Sequence, residues 1–401
     1  MEKQRVKFDH HAPTFVHEWQ RMAEEFHQRD FPLAWSESHG GYWVLADWAE
    51  ARTGLANWEV FTSDNDPQGL RRGGLGVTIP PQPYALLLNE SDPPLHTERR
   101  RVELPFFLPK KLKQWELAAQ DFLDETIAGL KGKQSCNLVK DLIIPTTART
   151  TLYLLGYDLA EWEDAAFSAH IAVYTRPDQP GYPAEELNRL RANFRAMLKD
   201  RQENPREDLV TALATTVVNG RQLSIDEAEA MMSALVFGGF DTTTSCMAHA
   251  LIWLDKNRDV HQRLIEDDKF ADNAVEEFLR IASPAPGISR TALEPIEICG
   301  QRIEKGDRVY FWLAGANRDP KKFEDPSRVW LERPNAREHL AFSGGSHRCL
   351  GAPLAKLELR RMLKSILSAM PDFSIDHDKI VPFPSIKSTN GLIDVPMRLS
   401  A

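Results

Sequence analysis

Apolar positions change their period from one stretch of the chain to the next. Short apolar runs within residues 31–46, such as Tyr42-Trp-Val-Leu-Ala46, predict strands. Residues 66–94 are rich in glycine and proline and predict a long loop. From Lys110 to Arg280 apolar residues recur at three- and four-residue spacing, clearest over 115–131, 183–200 and 225–255, and predict helices. Ile296, Ile298, Ile303 and Val309, set among polar residues, predict a small antiparallel sheet. The run from Pro353 to Ala369 predicts a last strong helix, and Asn390-Gly391 between apolar stretches predicts a hairpin. No repeat, low-complexity tract or βαβ alternation is visible. Length alone allows more than one domain, but the missing linker favours a single domain over residues 1–401. The expected class is mainly α with a minor sheet.

Composition adds exclusions. Apolar residues are 42% and charged residues 27% of the chain, as in an ordinary globular protein, so disorder is not expected. Lys plus Arg is 49 and Asp plus Glu is 58, a net charge of −9 that opposes sequence-independent nucleic-acid binding. Cys136, Cys246, Cys299 and Cys349 are too scattered for a disulfide framework and form no Cys-x-x-Cys zinc pair. The charged N-terminus is no signal peptide, and no run of about 18 apolar residues exists to span a bilayer. The expectation is a soluble cytoplasmic protein with no membrane partner. The phosphate-loop, Gly-x-Ser-x-Gly and Rossmann patterns are missing, and His17-Glu18 lacks the second histidine of a zinc protease. Arg71-Arg-Gly-Gly-Leu-Gly76 reads as a flexible loop.

The most informative segment is Phe342-Ser-Gly-Gly-Ser-His-Arg-Cys-Leu-Gly351. Its glycines let backbone approach a neighbour closely. Pro353 then opens a strong helix, since proline suits a first turn. Cys349 is therefore placed just ahead of a helix N-terminus, where orphan amides and the positive dipole end stabilise a thiolate. An isolated cysteine is more often plain core, but that leaves the flanking Phe, Gly, His and Gly unexplained. Phe342-x-x-Gly345-x-His347-x-Cys349-x-Gly351 resembles the haem-binding signature of the cytochrome P-450 monooxygenases. The resemblance implies that Cys349 is the axial thiolate of haem b, a ligand type that favours O–O cleavage.

Other stretches agree in order and spacing. Ser224-Ile-Asp-Glu227 is a capping box opening a long helix. Inside it, Phe237-Gly-Gly-Phe-Asp-Thr-Thr-Thr244 is poor helix sequence, and its threonine hydroxyls can bend a helix by bonding the preceding turn. Close helix packing would explain the glycines but not an Asp-Thr pair amid apolar residues. The segment resembles the family's oxygen-binding groove, with Gly238 where alanine is commoner. By that resemblance Asp241 and Thr242 are the acid–alcohol pair relaying protons to dioxygen, and Gly238 and Gly239 leave it room. Glu277-Phe-Leu-Arg280 resembles the family's structural Glu-x-x-Arg, with Arg328 as the candidate third arm, although Val329 stands where an aromatic is usual. Asp92-Pro-Pro-Leu-His-Thr-Glu-Arg-Arg-Arg101 places His96 and Arg100 one turn apart. With Arg290 and His347 they match the contacts to the haem propionates.

The family resemblance implies a single triangular fold and a haem-thiolate monooxygenase that uses O2 to hydroxylate a small hydrophobic substrate. Ala234, Phe237, Pro286, Ile288 and Leu392, with the loop at 73–90, are expected to close the substrate pocket. With no flavin or iron–sulfur domain in evidence, electrons are expected from a ferredoxin and its NAD(P)H-dependent reductase. Lys356, Arg360, Arg361 and Lys364 form the expected basic docking face. The alternatives are a peroxide-driven peroxygenase, which the Asp241-Thr242 pair disfavours, and a non-enzymatic haem sensor or recruiting protein.

Overall fold

The computed structural model describes residues 3–29, 32–81 and 86–399. Its helices in chain order are α1 (Phe15–His27), α2 (Trp48–Ala56), α3 (Leu95–Glu103), α4 (Pro109–Gly129), α5 (Ile144–Leu154), α6 (Trp162–Tyr174) and α7 (Ala184–Glu203). There follow α8 (Leu209–Thr215), α9 (Ile225–Gly239), α10 (Asp241–Asp255), α11 (His261–Glu266), α12 (Asp268–Ala282), α13 (Leu313–Ala316) and α14 (Ala352–Ala369). Local sequence sets most of their starts. Asp47, Asp208 and Asp267 cap α2, α8 and α12 through their carboxylates. Ser224 and Glu227 form the reciprocal capping box at α9.

The main sheet has five strands in the order 33–36, 42–45, 308–311, 288–292 and 61–62. Its one parallel pairing joins 308–311 to 42–45. Both faces are covered, which explains the unbroken apolar run Tyr42–Leu45, buried at every position. Trp43, Leu45, Val309 and Phe311 pack on one side with α2. Tyr42, Val44, Tyr310 and Trp312 pack on the other against Phe8, Phe15 and Trp19. The largest core lies among the helices and includes Phe194, Met231, Leu251, Met362 and Ile366. Strands 296–298 and 301–303 pair antiparallel as expected, but Val309 lies in the main sheet instead, between Arg290 and Trp43 of its neighbours.

Two expectations change. The stretch 225–255 is not one helix. It breaks at Phe240, where ψ is −73°, and Thr242 Oγ1 donates to Gly238 O at 2.7 Å. A hydroxyl inserted into the helix ladder is a known cause of such a bend. Asn390-Gly391 is not a tight turn either. It leads into strand 392–394, which pairs with 381–382 across a longer loop. Asn390 instead ties three segments together. Its amide N–H donates to Pro284 O and its Nδ2 to Ala282 O, while its carbonyl accepts from Ser245 and sits 3.2 Å from His249 Nε2.

Glu277 and Arg280 are fully buried on α12, and their third partner is Arg333 rather than Arg328. Arg333 Nε lies 3.1 Å from each Glu277 oxygen, and the Trp330 amide donates to the same carboxylate. Arg328 contributes only its backbone carbonyl, which accepts from both arginines. Removing one member of a buried, hydrogen-bonded ion cluster strands the others. Arg333→Ala is therefore expected to cost about 3–5 kcal/mol of stability. Chemical denaturation measures this, and a loss below ~1 kcal/mol would mean that the cluster tolerates an open arm.

Candidate active site

The segment 342–351 folds back between α2 and α14. The Cys349 amide donates to Phe342 O at 2.9 Å and closes the loop. Gly345 has φ +64°, and a Cβ there would meet Leu55 O at 2.5 Å, so only glycine fits against α2. Gly351 is the N-cap of α14, and Pro353 sits in its first turn. The Cys349 sulfur accepts from the amides of Gly351 and Ala352. Burial pushes the thiol above its ordinary value, while those amides and the charges of Arg100 and Arg348 pull it back. Cys349 keeps accessible surface, which leaves room for a ligand beside it.

Donors from two other elements gather around this loop. His96 and Arg100 come from α3, and Arg290 from strand 288–292. The rings of His96 and His347 are 4.1 Å apart. Burial, then the charges of Arg100 and Arg290, hold His96 down to about 4. Burial, then Arg290, His96 and Arg100, hold His347 down to about 2. Arg290 is lowered to about 10 by burial. Both ring nitrogens of His96, Nε2 of His347 and Nη2 of Arg290 are buried without a hydrogen-bond partner. Each such atom costs about 1–3 kcal/mol unless an acceptor reaches it. A wall of imidazole and guanidinium N–H groups left without partners suits a group bearing carboxylates. Among the described residues no three His, Cys, Asp or Glu side chains gather to hold a metal ion. A metal at Cys349 must therefore bring its other ligands with it, as a porphyrin does. The residues fit haem on both counts.

The expected acid–alcohol pair lies at the break between α9 and α10. Asp241 opens α10 and is buried, while Thr242 is partly accessible. The Thr242 hydroxyl spends its proton on Gly238 O, so its lone pairs remain for an incoming donor. The two glycines differ. A Cβ on Gly238 would meet nothing within 4 Å, whereas one on Gly239 would meet Thr151 Oγ1 of α5 at 2.5 Å. Gly238 thus borders open space, whereas Gly239 packs against α5. Of the pocket residues, Ala234, Phe237 and Ile288 are partly accessible. Pro286 and Leu392 are buried, Pro286 with its carbonyl accepting from Ala314, so neither offers the open face expected of a pocket wall. Part of the loop at 73–90 lies outside the described residues.

Two polar residues escaped the sequence reading. Arg333 is one. His170 of α6 is the other, and its Nδ1 lies 2.6 Å from Asp241 Oδ1. The available signal was a lone histidine among the small buried residues Ala165, Ala166, Ser168 and Ala169. A carboxylate beside it could not be read from spacing.

Comparisons with known proteins bear on the family and the fold. Residues 181–397 match the family model described as Cytochrome P450. The chain is 30% identical to Cytochrome P450(MEG) of Priestia megaterium over 74% of its own length and 75% of that protein. It is 29% identical to Linalool 8-monooxygenase of Pseudomonas putida, covering 87% of this chain and 88% of the relative. The solved structure of a P450 EryK mutant in complex with erythromycin B superposes with a TM-score of 0.82 at 27% identity, over 96% of this chain and 98% of that one.

The two glycines give a paired test. Gly239→Ala is expected to destabilise by about 1–3 kcal/mol through overpacking, and Gly238→Ala to leave stability unchanged or raised by up to ~1 kcal/mol. Thermal melts of both, and of Gly239→Ala with Thr151→Ala, check this. The double variant should recover most of the loss.

Proposed function

The chain belongs to the cytochrome P450 family and is a haem monooxygenase, and from that premise we propose that it hydroxylates a small hydrophobic substrate with electrons from a separate ferredoxin and its NAD(P)H-dependent reductase. One observation carries the reading: accessible Cys349, its sulfur held by two helix-terminal amides, shares a loop with His347, whose ring lies 4.1 Å from that of buried His96, and polar atoms of both rings and of Arg290 have no partner among the described residues. The group it takes is haem b. When bound, that group supplies the activation of dioxygen, and its thiolate ligation favours O–O cleavage.

The chain's own residues then have separable tasks. Cys349 ligates, and the amides of Gly351 and Ala352 stabilise its negative charge. His96, Arg100, Arg290 and His347 bind the carboxylates and fix the plane of the group. Phe342 and Gly345 hold the loop that presents the sulfur. Asp241 passes protons inward, and Thr242 accepts a hydrogen bond in the groove that Gly238 leaves open. Ala234, Phe237 and Ile288 form the apolar wall facing substrate. The family's named members act on molecules as different as linalool and erythromycin, so an apolar wall supports a substrate class and no single molecule. One domain over residues 1–401 accounts for the reading, and a cytoplasmic setting suits it.

The electron-delivery face differs from the expectation of a free basic helix. Lys356 pairs with Glu276, Arg360 with Asp272, Arg361 with Glu116 and Lys364 with Asp268. That face of α14 is therefore close to neutral. Beside it lies a cleft of ≈ 960 Å³ lined by Arg52, Arg337, Phe342, Gly345 and Arg348 among others. Arg348 is exposed, makes no ion pair among the described residues and adjoins Cys349. It is the better candidate anchor for an acidic partner.

The reduced, CO-bound spectrum of the purified protein tests the core of this reading. The thiolate-ligated signature is expected, and its persistence in Cys349→Ser would overturn the ligand assignment. Turnover with a surrogate ferredoxin and with peroxide alone then separates monooxygenase from peroxygenase. For docking, Arg348→Glu is expected to slow reduction by ferredoxin by about tenfold at low salt, with the difference shrinking as salt screens it. An equal rate at low salt would remove Arg348 from the interface.

A further inference from the structure

His170 and Asp241 form a buried pair, and no step above uses His170. They lie 71 residues apart and come from α6 and α10. Both side chains are 3% exposed, and Nδ1 is 2.6 Å from Oδ1. A carboxylate can only accept, so the hydrogen of this contact sits on Nδ1. The other ring nitrogen, Nε2, is buried with no partner. The ring edges face Tyr174 at 5.3 Å and Phe383 at 5.5 Å between centroids. No second acceptor competes for the imidazole hydrogen, so Asp241 alone selects the tautomer. Tyr174, on the same helix, is the other titratable group facing the pair. Its hydroxyl is raised by burial and then by the charges of Asp241 and Asp394. Asp241 Oδ2 makes no hydrogen bond among the described residues.

The two oxygens of Asp241 are thus unequal. We propose that His170 is the positioning residue of the distal acid: its Nδ1–H clamps Oδ1 against α6 and thereby presents Oδ2 to the groove as the oxygen through which protons pass. The proposal rests on the acid–alcohol reading of Asp241 and Thr242 and adds its second layer. In the step itself a proton taken up on Oδ2 leaves through Oδ2 toward the groove, and Asp241 returns to the carboxylate. His170 keeps its Nδ1 hydrogen throughout and neither gives nor takes a proton. Its worth is directional. Without the clamp the carboxylate rotates about its own χ angles, and small misplacements of a proton donor carry large kinetic penalties. A helix break at Phe240 frees the acid from regular helix geometry, and a partner on another helix restores its direction.

Two near-isosteric variants distinguish positioning from simple packing. Asparagine places an amide N–H where Nδ1 was, whereas glutamine places it near Nε2. In the reconstituted holoenzyme, His170→Gln is expected to lower product formed per NAD(P)H consumed by about tenfold, with the balance released as peroxide and with KM unchanged. His170→Asn is expected to stay near the parent. Equal coupling in the two variants overturns the proposal. A second readout is independent of turnover. In 15N-histidine-labelled protein, reduced and CO-bound, a low-field imidazole N–H resonance should vanish in His170→Gln and shift upfield in Asp241→Ala. Its absence from the parent protein also overturns the proposal. Thr242→Ala is the control. If that variant stays coupled, the acid–alcohol reading itself fails, and this proposal with it. If it uncouples while His170→Gln does not, only the role of His170 fails.

Discussion

Buried donors without acceptors are rare in folded proteins because each one forfeits its hydration. In this chain four such polar atoms, on His96, Arg290 and His347, gather beside the loop that carries Cys349. The surrounding structure follows from keeping these groups together. Helix α3, the strand at 288–292 and the loop 342–351 are distant in sequence, and no local preference brings them side by side. What does so is burial on the two faces of the sheet and among the long helices, where Trp43, Phe311, Met232 and Leu363 exclude water completely.

The ion cluster of Glu277, Arg280 and Arg333 serves the same end from behind. Both arginines also donate to backbone carbonyls of the meander at 324–328, and Arg280 reaches Asn317 as well. A buried charge cluster is weak evidence of stability by itself. Here it cross-links an irregular stretch that has little secondary structure of its own, just before the cysteine loop begins. The chain therefore spends charge where strands and helices are not available to fix the backbone.

Much was legible in local sequence. The capping box at Ser224, the helix after Pro353 and the strand at Tyr42 appear where their residues place them, since each depends on neighbours within a turn or two. The bend at Thr242 was foreshadowed by hydroxyl chemistry, but its depth was not, and one expected helix became two. The errors share a cause. Arg328 lost its role to Arg333 because a guanidinium at either position could reach α12, and only the path of the intervening chain chooses. The basic face of α14 was read without α4 and α12, whose Glu116, Asp268 and Asp272 neutralise it. Asn390-Gly391 has turn chemistry, yet its hydrogen bonds were taken up by α10 and by the end of α12.

The sequence by itself determined the ligand and its electrostatic setting, because a cysteine two residues before a helix cap meets amides that belong to its own segment. It also set Asp241 and Thr242 side by side along the chain. The tertiary structure alone decided which groups those residues face. Gly238 and Gly239 are equivalent in sequence, but one borders the groove and the other touches Thr151, because helix rotation points them in different directions. Asp241 carries no sign of His170, because a contact across 71 residues exists only after α6 has packed against the helices of the groove.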